Sequence, residues 1–117
     1  MTLTSVRFAG NARLQSAAQN APPLKKNELD RQAVGLMQQA LADLGFRMPI
    51  TMLKGSPDGI YGDETVKTVI QFQADHGLQR DGVAGHDTLH ELDRLMTSSP
   101  DYSSGYLRSG SGRRVLQ

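Results

Sequence analysis

Asp58-Gly59-Ile60-Tyr61-Gly62-Asp63-Glu64-Thr65 returns as Asp81-Gly82-Val83-Ala84-Gly85-His86-Asp87-Thr88, at a constant offset of 23 residues. The shared pattern is D-G-[IV]-x-G-x-[DE]-T, and each copy opens a stretch of helical periodicity. Each position has a physical use. An aspartate accepts a hydrogen bond from the backbone two residues on and starts a turn. The first glycine supplies a positive φ at no steric cost. Ile60 or Val83 is expected to drop into the core as an anchor. The second glycine turns the chain into the helix, where Asp63 is a candidate N-cap. An acid in the first turn, Glu64 or Asp87, suits the positive end of the helix dipole.

Outward from this repeat, three helices are predicted. Val34, Met37, Leu41 and Leu44 share one face of a helix over about 30–44, closed by Gly45. Thr65, Thr68, Val69 and Phe72 share a face over about 63–76, closed by Gly77. Leu89, Leu92, Leu95 and Met96 form the buried face of a helix over about 86–96. No segment alternates with period two long enough to demand a strand, although the glycine-flanked turns allow a small β bridge. The charges between Glu28 and Asp43 read as a solvated face opposite Val34 and Met37.

The expected fold class is all-α: a compact three-helix bundle with two D-G-[IV]-x-G turn loops, a flexible N-terminal arm (1–26) and a flexible C-terminal tail (97–117) around a domain at 27–96. Pro22-Pro23 breaks any helix in the arm. Val6, Phe8 and Leu14 offer the other reading of the arm, docked on the domain. The tail is rich in serine and glycine.

Composition narrows the chemistry. The net charge of +1 is unevenly spread: residues 27–96 carry six basic and eleven acidic groups, while residues 1–26 carry four basic groups and no acid. An acidic centre argues against nucleic acid as partner, because phosphate contacts need a basic face. There is no cysteine, hence no disulfide or thiolate metal site. No stretch approaches a membrane span, and residues 1–20 hold no apolar run of signal-peptide length. The chain is therefore expected to be made in the cytoplasm and to act at the cell wall or in the periplasm if lysis, injection or another non-standard route delivers it.

The fuller pattern is Val34-x-x-Met37-Gln38-x-x-Leu41-x-x-Leu44-Gly45, Asp58-Gly59-Ile60-Tyr61-Gly62-x-x-Thr65, Val69-x-x-Phe72-Gln73-x-x-x-Gly77-Leu78, Asp81-Gly82-Val83-x-Gly85-x-x-Thr88 and then Leu92. In this order and spacing it resembles the three-helix type of peptidoglycan-binding domain, over roughly Leu24 to Leu95. The resemblance implies a cell-wall-binding module of the kind appended to amidases, muramidases, transpeptidases and phage lysins, without catalytic residues of its own. Met37 replaces the family's usual leucine. Thr68 replaces an alanine, with a hydroxyl able to bond back to the preceding turn. Asn27 stands where glycine is common and tolerates positive φ. The 46–57 stretch is longer than in the shortest members and unusually apolar, with Met48, Pro49, Ile50, Met52 and Leu53.

A binding groove is expected where the repeated loops meet the second helix, with Asp58, Tyr61, Gln73 and Asp81 as ligand-binding candidates. Sugar and stem-peptide ligands need carboxylate, amide and hydroxyl partners plus an aromatic face. The same residues have structural uses: the aspartates cap their own turns, Gln73 ties a loop backbone, and Tyr61 is partly core. His86 and His90 have a zinc-compatible spacing, but H-E-x-x-H is absent and His86 falls at a helix start, so they read as ordinary surface histidines. Asp58 and Asp81 as a glycosidase pair are explained without chemistry by the repeat. No cofactor is implied. The expected partner is the glycan or the peptide stem of peptidoglycan, bound without catalysis. The alternative is a structural or adaptor protein, as in a phage-tail-like particle or an injection system, contacting a protein through residues 1–26, 46–57 or the tail.

Overall fold

The computed structural model describes residues 2–98. Its helices are α1 (Ala12–Ala17), α2 (Arg31–Asp43), α3 (Asp63–Asp75) and α4 (His86–Ser98). The last three match the periodic segments within two residues at each end. The predicted 97–117 tail falls almost entirely outside the described residues.

The helix termini follow local rules. The Asp30 carboxylate accepts from Ala33 N–H at 3.0 Å and starts α2. Past its end, Gly45 has φ +101°, with Phe46 N–H bonded to Leu41 C=O and Gly45 N–H to Ala42 C=O. Gly77, with φ +70°, closes α3 in the same way, Leu78 N–H reaching Gln73 C=O at 2.8 Å. Both are Schellman stops, which satisfy carbonyls the helix leaves unpaired. The N-cap of α3 is Gly62, not Asp63. Asp63 is the first helical residue, and its carboxylate turns outward to pair with Lys26 at 2.7 Å.

The core joins Val34, Met37 and Leu41 of α2, Val69 and Phe72 of α3, and Leu89, Leu92 and Met96 of α4. Leu44 and Leu95 sit at its edge. Thr68 is buried and donates its hydroxyl to Glu64 C=O at 2.8 Å, as its place in the helix predicts. Asn27 has φ +75°.

The arm packs against the domain, the docked reading of Phe8 and Leu14, while Val6 is exposed, and it adds a fourth helix to the expected three. Leu3, Phe8, Leu14, Ala17, Ala18 and Leu24 are buried in the same core. Their irregular spacing, spread over turns and the six-residue α1, gave no periodic signal. Polar ties fix the arm along its length. Asp93 of α4, itself buried, accepts from Ser5 N–H at 2.8 Å and Thr4 N–H at 3.1 Å. Arg13 bonds both Glu28 carboxylate oxygens and the carbonyls of Pro22 and Pro23. Hydrogen bonding to Arg13 holds the Glu28 carboxyl below its ordinary pKa, against the opposing effect of burial. Arg7 meets Asp43 at 2.6 Å, their side chains 7% and 4% exposed. The supposedly solvated charges at Glu28 and Asp43 are thus covered by the arm, because each has an arginine partner from it. An antiparallel bridge between Leu24 and Ala84 seats the end of the arm on the second repeated loop.

The 46–57 segment forms turns against the start of α3. Met48 and Thr51 are buried, and the Glu64 carboxylate accepts from Thr51 N–H at 2.6 Å and Ile50 N–H at 3.0 Å. Burial pushes the Glu64 pKa up, but these bonds outweigh it and the pKa lies below its ordinary value. A carboxyl so depressed stabilises the fold above the ordinary carboxylate pKa, and that contribution is lost as pH falls through the folded value. Glu28 and Glu91 are depressed in the same sense, each chiefly by an arginine hydrogen bond. The melting temperature is therefore expected to fall as pH drops below about 4.5. In Glu64→Gln, exchange of the Ile50 and Thr51 amides is expected to quicken about tenfold at neutral pH, measured by hydrogen-exchange NMR. Unchanged protection at both amides would count against this docking.

Candidate functional site

Each repeated loop is clamped by a buried glutamine from the preceding helix. Gln38 donates from Nε2 to Ile60 C=O and Thr65 Oγ1, both at 2.9 Å, and accepts from Gly59 N–H at 3.0 Å. Gln73 donates to Val83 C=O at 3.0 Å and Thr88 Oγ1 at 2.9 Å, and accepts from Gly82 N–H at 3.0 Å. The two clamps match in these three bonds, and Gln73 adds a fourth, from Nε2 to Asp81 Oδ1 at 3.0 Å. They escape the 23-residue repeat because Gln38 precedes its aspartate by 20 residues and Gln73 by 8, the 12 residues of 46–57 lying between.

The loops themselves obey the sequence logic at most positions. Asp58 Oδ1 accepts from Ile60 N–H, and Asp81 Oδ1 from Val83 N–H, both at 2.9 Å. Gly59 and Gly82 each have φ +73°. A Cβ at Gly59 would also lie 2.7 Å from the Arg31 carbonyl oxygen, so backbone approach excludes a side chain there. The anchors, however, are one residue later than expected. Ile60 is 53% exposed and Val83 half-buried, whereas Tyr61 and Ala84 are buried. The aspartate cap fixes the N–H of the aliphatic residue and leaves its side chain outward, and the extended chain then turns the next side chain in. Ala84 is buried where its backbone bridges Leu24. Tyr61 fills the larger space.

Tyr61 ties the loops together, its hydroxyl donating to Gly82 C=O at 2.6 Å. Burial, reinforced by the nearby negative charge of Asp81, drives its pKa far above that of an ordinary phenol. With 1% of its surface exposed, its ring faces protein rather than solvent. Gln73 is equally buried and spends its amide on loop atoms. Of the four candidates, Asp81 is exposed and Asp58 partly so.

Gln73 and Asp81 come together in a groove of about 320 Å3, whose lining includes Gln79, His86, Asp87 and, from the arm, Asn20 and Pro23. Neither lysine nor arginine lines it. Asp81 has Oδ1 committed to Val83 N–H and Gln73 Nε2, and the hydrogen bonds of Asp87 likewise run to one oxygen, Oδ1 to His86 Nδ1. The groove thus presents carboxylate acceptors, suited to amide, hydroxyl or amine donors. Asp58 lies instead in a second, more apolar groove of about 470 Å3 on the first loop, with Ile50, Leu53, Pro57 and Ile60. His86 and His90 stack at 4.4 Å between ring centres, and no third metal-ligating residue joins them among the described residues. No helix among the described residues is long and apolar enough to cross a membrane.

Two features escaped the sequence. Gln38 was visible as the counterpart of Gln73 only if the two helices, rather than the two loops, were aligned. Asn20 carried no signal: it lies 66 residues from His86, whose N–H its Oδ1 accepts at 2.8 Å.

The model of the peptidoglycan binding domain family matches residues 30–92, which contain α2, α3, both loops and most of α4. The chain is 39% identical over 74 residues to the N-acetylmuramoyl-L-alanine amidase CwlL of Bacillus licheniformis. It is 35% identical over 85 residues to a second protein of that organism, named "Probable N-acetylmuramoyl-L-alanine amidase". These alignments cover 63% and 73% of this chain but only 19% and 23% of the two relatives. Matched by the family model over more than half its length, the chain belongs to the peptidoglycan-binding domain family.

Proposed function

We propose that this chain is a non-catalytic module that holds peptidoglycan, through its glycan or its peptide stem, in the groove of the second repeated loop. The observation that carries this reading is the groove itself: a concave, polar site with uncommitted acceptors, built on a loop made rigid by Gln73 and Tyr61. The share of each amidase that is matched, about a fifth, supports likeness to a part that binds rather than one that cuts. Among the four candidates, we assign Asp81 to the ligand. Gln73 and Tyr61 hold the loops in place, and Asp58 serves the first loop. The place of action in this reading is the cell wall, whatever route brings the chain there.

The test is co-sedimentation with purified sacculi. The protein is expected to pellet with them. Asp81→Asn keeps the Oδ1 acceptor of the turn and removes the charge, and is expected to weaken retention about tenfold, the scale of one charge-assisted hydrogen bond. Failure of the unaltered chain to pellet at any ratio of sacculi would sink the proposal.

A second reading has one observation in its favour. Ile50, Leu53 and Ile60 are 72%, 80% and 53% exposed and line the first-loop groove together. A protein partner seated there would make the chain an adaptor. Leu53→Asp is expected to leave retention on sacculi unchanged while abolishing a stoichiometric complex with such a partner.

A further inference from the structure

We propose that the N-terminal arm, which precedes the family-matched segment, forms one wall of the binding groove, and that Asn20 donates from its side-chain amide to a carbonyl oxygen of the ligand. This inference rests on the assignment of the groove to peptidoglycan. Asn20 and Pro23 line the groove, yet both lie before residue 30, where the family match begins. The orientation of the Asn20 amide is fixed by chemistry. Its Oδ1 must be the atom that accepts from His86 N–H, so Nδ2, with two protons, is the remaining end. Among the described residues no hydrogen bond uses those protons.

The wall is set against the loop by steric fit. A Cβ at Gly85 would overlap Asn20 Oδ1 and sit 3.2 Å from Pro23 Cβ, so the absence of a side chain there lets the arm close on the loop. Asn20 itself has φ +60°, which asparagine adopts more readily than most residues. Behind it, Arg13 holds the Pro22 and Pro23 carbonyls and limits retreat of the wall. The groove therefore offers a donor on the arm and a carboxylate acceptor, Asp81, on the loop. A secondary amide, with one C=O and one N–H, answers both. Peptidoglycan has two sources of that group: the acetamido substituent of its sugars and the bonds of its stem peptide.

The full chain is titrated with soluble fragments of digested sacculi, followed by NMR. The Asn20 side-chain NH2 resonances are expected to shift on binding. Asn20→Asp keeps the acceptor for His86 N–H and removes the donor. It is expected to raise Kd about tenfold, with the melting temperature held within a few degrees. Asn20→Gly, which keeps the positive φ, is expected to weaken binding at least as much. An N-acetylglucosamine oligosaccharide and a synthetic stem peptide, titrated separately, separate the two sources: whichever shifts the Asn20 NH2 resonances supplies the amide. Wild-type affinity in Asn20→Asp, alongside a weakened Asp81→Asn, would overturn the role of the arm and leave the groove standing. Loss of all binding by the unaltered chain to sacculi would instead overturn the reading beneath it.

Discussion

Gln73→Leu is expected to lower the free energy of unfolding by about 3–4 kcal/mol, close to the largest effect of any single conservative change in this chain. Leucine has nearly the volume of glutamine, so the substitution leaves no cavity and isolates the hydrogen bonds. What remains is a buried Gly82 N–H, a Val83 carbonyl and a Thr88 hydroxyl whose partner is gone. A buried polar group left unpaired costs about 1–3 kcal/mol, and relaxation or water recovers part of the sum. Denaturant unfolding measures the loss. The matching change, Gln38→Leu, is expected to cost a similar or slightly smaller amount, because its three bonds match three of the four that Gln73 makes. A loss under about 1 kcal/mol in both would mean that the glutamines are bystanders and that the loops hold their shape through glycine geometry alone.

A chain beginning at residue 27 is expected to lose its cooperative thermal transition, although it retains all of the family-matched segment. Removing the arm strips Leu3, Phe8, Leu14 and Leu24 from the core. A large apolar side chain moved from water to the interior contributes about 1.5–3 kcal/mol. Four of them, even discounted for the order imposed on the arm, approach the total stability of a small domain, about 5–15 kcal/mol. Arm removal also takes Arg7 from Asp43 and leaves Asp93 without the N–H groups of Thr4 and Ser5. Circular dichroism across a temperature ramp reads the outcome. A sharp transition within about 10 °C of the full chain would show that residues 27–98 form a core sufficient by themselves.

How much of this was legible in the chain depends on range. Val34, Met37 and Leu41 announced α2 because a helix repeats its contacts every three or four residues, within reach of any window. Asp58 and Gly59 announced a turn because each acts on atoms one or two residues away. Ile60 was misplaced by one position, since the same residues permit either neighbour to face inward and only the packed core decides. Phe8 and Leu14 were ambiguous for a different reason: they join a core whose other members reach as far along the chain as Met96, and nothing local distinguishes a docked apolar residue from a solvated one. The candidate site divides in the same way. Asp81 was readable from its turn. Asn20 was not, because its role depends on a partner from the opposite end of the chain.

The bond between Thr4 and Asp93 has a consequence for presentation. It brings the start of the described chain alongside the second half of α4, while His86 and the groove lie at the first turn of that helix. Seven residues at about 1.5 Å each set Asp93 roughly 10 Å along α4 from His86. A partner fused ahead of Thr4 would therefore hang from the flank of α4 beside Asp93, clear of the first turn of that helix where the second-loop groove opens.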